Sequence, residues 1–261
     1  MPRMSLNSKV EGRGPHVVLL HPVGLDLASW DAVADRLARH YTVLRPDLAG
    51  HGLSALPRDG ASLADYADDV HELLVAQAFG PAVVVGLSFG GMVAQVLAVR
   101  HPADVSGLVV CGCGATFPAP IRDILRARGD SAAQGGMEAV LDETLQRWFT
   151  AGFIAGGGAE ATRLRLLADR AAGWAAAWHA ISGLDVFADL PGVAVPTLCI
   201  AGELDLAAPP AMLAAVAAQI PGARAQVLPL APHMMQIETA DRFAEAVEAF
   251  LREADTPLPT A

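Results

Sequence analysis

The sequence predicts an α/β protein: a mostly parallel sheet flanked by helices, with a helical insertion late in the chain. Three observations carry that expectation. Short β-branched runs alternate with longer helical patterns at both ends of the sequence, the pattern of strand–helix–strand units. The alternation stops between about Thr116 and Leu190, where helical patterns succeed one another with no convincing strand. The apolar run Val83-Val84-Val85 leads straight into Gly86-Leu87-Ser88-Phe89-Gly90, and Met92 to Arg100 continues as a helix. With 261 residues the chain suits one large domain or a core with a modest insertion, and can bury a large core without staples.

In order, His16 to Leu20 reads as a buried strand, preceded by Met4 to Val10, which has room for one further strand. Trp30 to Arg39 places Trp30, Val33, Ala34 and Leu37 at helical spacing. Tyr41 to Arg45 is the next strand, stopped by Pro46. Leu63 to Phe79 forms a helix with Asp65, Asp68, Asp69 and Glu72 on its polar face and Ser62 as its cap. Gly107 to Val110 follows the Ser88 helix as another strand. The insertion reads as two helices, Ala133 to Phe149 and Glu160 to Ile181, separated by a turn at Gly156-Gly157-Gly158. Pro196 to Ala201, a helix from Pro210 to Ile220, Ala225 to Leu228 and a last helix from Asp241 to Leu251 resume the alternation. Thr256 to Ala261 reads as a frayed tail. The core is expected at 1–115 and 191–261, and the insertion, as a cap over the sheet's edge, at 116–190.

Composition narrows the function. The chain is 53% apolar with a net charge of −10, and Lys9 is its only lysine. That balance leaves no footprint for nucleic acid or an anionic membrane. Cys111, Cys113 and Cys199 read as reduced core residues, because Cys-x-Cys without nearby histidines is a poor zinc signature. With no leader pattern and no run of about 18 apolar residues, the expected setting is cytoplasmic, without a membrane span. Monomer and dimer both stay open.

The chemistry begins at Ser88. Glycines on both sides let strand and helix approach closely while the serine sits exposed on a strained turn, which is what Gly-x-Ser-x-Gly needs to present a nucleophile. A serine hydroxyl requires a base, and nucleophile, acid and histidine follow in that order along such a chain. His233 is the only histidine beyond the strand at 225–228, in Pro229-Leu230-Ala231-Pro232-His233. The acid belongs after the strand ending at Ala201, where Gly202-Glu203-Leu204-Asp205 offers Asp205 first and Glu203 in reserve. The expected oxyanion donors are the Phe89 amide and the Val23 amide of His21-Pro22-Val23-Gly24, with Gly24 next, since Pro22 has no N–H. His21 reads as a residue bracing this loop. Asp47-Leu48-Ala49-Gly50-His51-Gly52-Leu53-Ser54 reads as a tight loop, because Asp47 and His51 are too few ligands for a metal.

With these residues in place, the chain resembles the α/β-hydrolase fold superfamily over nearly its whole length. Within it the chain is most similar to the 3-oxoadipate enol-lactone hydrolase group, through Val43-Leu44-Arg45, Gly86 to Val93, Arg147-Trp148-Phe149-Thr150, and Pro196-Thr197-Leu198 leading to Gly202 and Asp205. The triad motifs mark the superfamily; Arg147-Trp148-Phe149 alone carries the closer likeness. The sequence departs from that group at His21-Pro22, where Asn-Ser is usual, and at Ala49-Gly50, where Arg-Gly is usual. The resemblance implies a serine hydrolase of the esterase or lactonase type, without cofactor or metal, acting on a small ester or lactone, enol-lactones included. Trp148, Arg147 and Gly24 are the candidate substrate contacts, with Trp174 or Trp178 as further walls and Arg147 as the partner of a substrate carboxylate. Carbon–carbon bond hydrolysis and cofactor-free perhydrolysis use the same triad. A ligand receptor on a hydrolase scaffold, or a catalytically silent member, would share the motifs without the turnover.

Overall fold

Ser8–Gly12 (β1), His16–Leu20 (β2), Thr42–Pro46 (β3), Ala82–Leu87 (β4), Val105–Cys111 (β5), Thr197–Gly202 (β6) and Arg224–Leu228 (β7) build one sheet in the order β1-β3-β2-β4-β5-β6-β7. The computed structural model describes residues 6–254. β1 runs antiparallel to β3, and all other neighbouring pairs are parallel. Every residue of β4 is buried, which explains its unbroken apolar run: a central parallel strand has both faces covered.

Asp31–Leu37 (α1), Leu63–Ala76 (α2) and Phe89–Arg100 (α3) connect the first strands. At the start of α2 the Asp65 carboxylate accepts both the Ser62 N–H and the Ser62 hydroxyl, at 2.8 and 2.7 Å, so the expected cap forms with Asp65 as its acceptor. α3 buries every residue from Phe89 to Ala98, and accordingly shows no polar face in the sequence. One fully buried cation, Arg45, ties β1 to the first helical turn through ion pairs to Glu11 and Asp31.

Between β5 and β6 the chain forms five helices rather than two: Ala119–Gly135 (α4), Glu138–Trp148 (α5), Ala151–Ala155 (α6), Glu160–Leu167 (α7) and Ala171–Ser182 (α8). α4 escapes a sequence reading because only Gly129 and Ala132 of its 17 residues are buried, leaving little apolar periodicity to find. The stretch expected as one helix from Glu160 breaks where Arg170 turns extended, with Asp169 buried beside Arg165. The glycine turn is present, closed by the Gly158 N–H donating to the Phe153 carbonyl. Pro210–Gln219 (α9), Met235–Glu238 (α10) and Ala240–Ala254 (α11) complete the chain; α11 packs on α1, and α2 on α3. The tail 256–261 and the first residues of the expected N-terminal strand lie outside the described residues. No described helix is long and apolar enough to cross a membrane.

Because β2 to β7 are parallel, the loops that follow them all emerge at one edge. Residues 21–24, 47–54, 88, 112, 205 and 233, scattered over the sequence, meet there.

Candidate active site

Ser88 takes φ 54° and ψ −117°, a conformation L-residues rarely hold. Its N–H donates to the Cys111 carbonyl at 2.8 Å, tying the turn to the end of β5. The flanking glycines are required by contact: a Cβ on Gly86 would lie 2.2 Å from the Gly90 carbonyl oxygen, and one on Gly90 2.0 Å from that of Leu20. A side chain at either position would force β4, α3 and β2 apart.

On the loop after β6, Asp205 is buried and accepts from three donors. Its Oδ1 takes the Ala207 and Ala208 N–H groups at 2.8 Å each, and its Oδ2 lies 2.8 Å from His233 Nδ1. A carboxylate only accepts, so His233 Nδ1 carries the hydrogen and Nε2 keeps the lone pair. Glu203 is turned to another task, accepting the Leu230 N–H at 2.8 Å. Gly112, at φ 55°, makes room for the pair: a Cβ there would lie 3.3 Å from the His233 ring and 3.4 Å from Asp205 Oδ2. Nothing in Cys111-Gly112-Cys113 flagged that role beforehand, since a lone glycine after a strand is common.

The loop after β2 is braced from within. His21 Nδ1–H donates to the Pro22 carbonyl at 2.8 Å, and His21 Nε2 accepts the Leu48 N–H at 2.8 Å. Burial, reinforced by His51 nearby, pulls the His21 imidazole down to about 3, so it stays neutral and keeps that acceptor. Burial likewise pulls His51 down to about 4; its ring packs 5.1 Å from His21 and 5.7 Å from Phe89. Asp47 binds the amides of Leu27 and Leu53 and the Asn7 side chain, and its carbonyl accepts the Ser54 hydroxyl. These contacts make the 47–54 loop a brace. Among the described residues, neither the Val23 nor the Phe89 amide has a protein acceptor.

Ser88, His233 and Val23 line one cavity of about 340 Å³, walled further by Met92, by residues 112–114 and 207–208, by Met212 and by the helices between β5 and β6. Trp148 and Arg147 line it as expected, and so does Trp178. Trp148 is buried with its ring 6.5 Å from that of His233, and its carbonyl accepts the Met234 N–H at 3.1 Å. Trp174 is packing instead, fully buried 6.4 Å from Trp148 and 5.7 Å from Trp178. Gly24 does not line the cavity; the space beside its Cα is filled by Trp174 and Leu166.

Sequence reasoning missed Arg128, Leu125, Phe117 and Met212, all of them lining residues. Arg128 lies 5.1 Å over the Trp178 ring and donates to Glu143 and Thr144 Oγ1 at 2.8 Å each, while its Nε is buried without a partner. It went unseen because α4 itself did. The three cysteines are buried and unpaired, and burial pushes the Cys199 thiol up to about 12, away from reactivity. Hydroxyl, imidazole and carboxylate around one pocket suit nucleophilic acyl transfer, and Arg128, Arg147 and Glu143 place charges of both signs on its wall.

Comparison with known proteins agrees with this architecture. The sequence profile of the Alpha/beta hydrolase family matches residues 17–246. Uncharacterized proteins of Mycobacterium bovis and Mycobacterium tuberculosis are 37% identical over 106 residues; the match covers 41% of this chain and only 31% of theirs. A pimeloyl-[acyl-carrier protein] methyl ester esterase of Aeromonas hydrophila is 30% identical, over 95% of this chain and all of the relative. The solved enol-lactonase from Burkholderia xenovorans LB400 superposes with a TM-score of 0.90 at 33% identity, covering 95% of this chain and 96% of that one. A malate-bound thermophilic esterase from Thermogutta terrifontis gives 0.91 at 28% identity, covering 96% and 94%. The enol-lactonase likeness read from the sequence thus returns in the structure, and the chain belongs to the α/β hydrolase family.

Proposed function

We propose that the chain is a serine hydrolase that cleaves a small carboxylic ester or lactone through an acyl-enzyme. Ser88 Oγ attacks the carbonyl carbon while His233 Nε2 takes its proton, and Asp205 holds the imidazole in the tautomer this requires. The Val23 and Phe89 amides receive the oxyanion. The same imidazole then protonates the leaving oxygen and activates the water that releases the acid. One observation carries the reading: a strained serine on a strand-to-helix turn shares a cavity with an imidazole anchored 2.8 Å from a buried carboxylate.

The helical segment 116–190 acts in this reading as a cap that closes the pocket over Ser88. Its Arg147 favours a substrate carrying a carboxylate, as an acidic enol-lactone does, whereas the charge of Arg128 is met by Glu143. Arg147 has no ion-pair partner among the described residues, and Arg128 keeps a free N–H in a buried position. Steady-state hydrolysis of short p-nitrophenyl esters, followed by carboxylated lactones, tests the reading. The Ser88→Ala protein should lose nearly all turnover while melting within a few degrees of wild type. A single burst without recycling would point to a receptor instead, and unchanged turnover in the variant would remove Ser88 from the chemistry.

A further inference from the structure

A second group of chemistry-bearing side chains lies away from the cavity. His71 on α2, His101 just after α3 and Asp104 in the following turn each offer a ligand atom, and these atoms all lie within 4.8 Å of one another. The two imidazole rings stack at 4.0 Å between centroids, only 5° from parallel. We propose that His71, His101 and Asp104 form a binding site for a divalent transition-metal ion, zinc(II) by preference, that clips α2 to the end of α3.

The outer contacts of the donors suit an ion. His101 Nε2 sits 2.7 Å from Asp68 Oδ1, so that nitrogen carries the hydrogen and Nδ1 presents its lone pair. A carboxylate on the far nitrogen is the arrangement that orients and strengthens a metal-binding histidine. Arg100, bonded to Asp68 at 2.9 to 3.1 Å, holds that carboxylate in place. His71 Nδ1 and Asp104 Oδ2 stand 2.6 Å apart, sharing one hydrogen. A metal ion would replace that hydrogen, which moves to His71 Nε2 so that the imidazole stays neutral, and would take both atoms as ligands.

Two imidazoles and one carboxylate leave a fourth position for water, a donor set that suits zinc, nickel or copper better than calcium or magnesium. The site also lies at the C-terminal end of a 12-residue helix, where the carbonyl ends favour a cation. Coordination requires the two rings to tilt toward each other and the ligand atoms to close to about 3.3 Å, which follows from metal bonds of about 2.0–2.2 Å. All three side chains are partly exposed. Because α3 rises about 1.5 Å per residue, the site stands roughly 18 Å from Ser88 at the helix's other end. It is therefore structural, and it does not depend on the proposed hydrolase chemistry.

Calorimetric titration of the intact protein with zinc chloride, in two buffers of different ionisation enthalpy, tests the proposal. It should show one ion bound in the micromolar range, the same heat in both buffers because no net proton is released, and a raised melting temperature. Magnesium chloride should give neither the binding nor the raised melting temperature. His71→Gln and Asp104→Asn, each retaining hydrogen-bonding capacity, should weaken zinc binding at least tenfold, whereas His233→Ala should leave it intact. Absence of zinc binding overturns the proposal, as does zinc binding that the His71 and Asp104 variants leave unchanged or that disappears with His233.

Discussion

Replacing Asp205 with asparagine tests the proposed chemistry most sharply, because it changes one acceptor and nearly no volume. Asparagine can still accept the Ala207 and Ala208 N–H groups through its Oδ1, so the loop should keep its shape. The atom facing His233 Nδ1 at 2.8 Å then becomes an N–H donor. Two donors cannot share that contact, so the imidazole must expose a bare Nδ1 and move its hydrogen to Nε2. A base whose lone pair points away from Ser88 cannot take its proton. In serine hydrolases the equivalent exchange lowers the rate by about 10⁴, or about 5.5 kcal/mol of transition-state stabilisation at about 1.36 kcal/mol per factor of ten. The assay is kcat/KM on p-nitrophenyl acetate near neutral pH, with thermal denaturation as a check on folding. Glu203→Gln serves as the comparison, since Glu203 holds the Leu230 amide and should leave the rate within a few-fold. An Asp205→Asn protein that hydrolyses ester within tenfold of wild type would refute the tautomer argument.

Gly112→Ala should lower both stability and rate. Its positive φ costs an alanine about 1–2 kcal/mol, and the new methyl crowds His233 and Asp205 from 3.3–3.4 Å; an unchanged melting temperature and kcat would show that the space is not needed. Arg147→Ala should raise KM for a carboxylated lactone about 10- to 100-fold, the range for losing a hydrogen bond to a charged group, while KM for p-nitrophenyl acetate stays put. Equal losses on both substrates would remove the carboxylate from the account. Acid should destabilise the fold through its buried histidines. With His21 at about 3 and His51 at about 4 when folded, the unfolded chain binds more protons at any pH between those values and about 6.5, so stability falls as pH drops through that window. Asp169, which burial pushes up to about 6, acts in the opposite direction below that pH. Melting temperatures from pH 7 to 4.5 should fall more steeply for wild type than for His51→Gln, and parallel curves would contradict the burial argument.

The strands were legible wherever burial on both faces imposed a continuous apolar run, as in β2, β4 and β6. α2 was legible because one face is buried and the other is not. α4 was not, because a helix lying on the surface needs few apolar positions and leaves no period to detect. The same asymmetry divides the site. Ser88 announces itself because its turn demands glycines at fixed local positions. Arg128 and Gly112 do not, because their importance lies in what stands next to them across the fold.

By itself, then, the sequence determined the alternating architecture, the strained serine turn and the order in which hydroxyl, carboxylate and imidazole occur. Those features are written in local periodicity and local backbone geometry. Only the tertiary structure decided that Asp205 rather than Glu203 faces His233, that Trp178 and Arg128 wall the cavity while Trp174 and Gly24 pack beside it, and that His71, His101 and Asp104 meet. Each is a contact between residues far apart in the chain. Side-chain direction there is set by packing against distant elements, which no spacing along the sequence encodes.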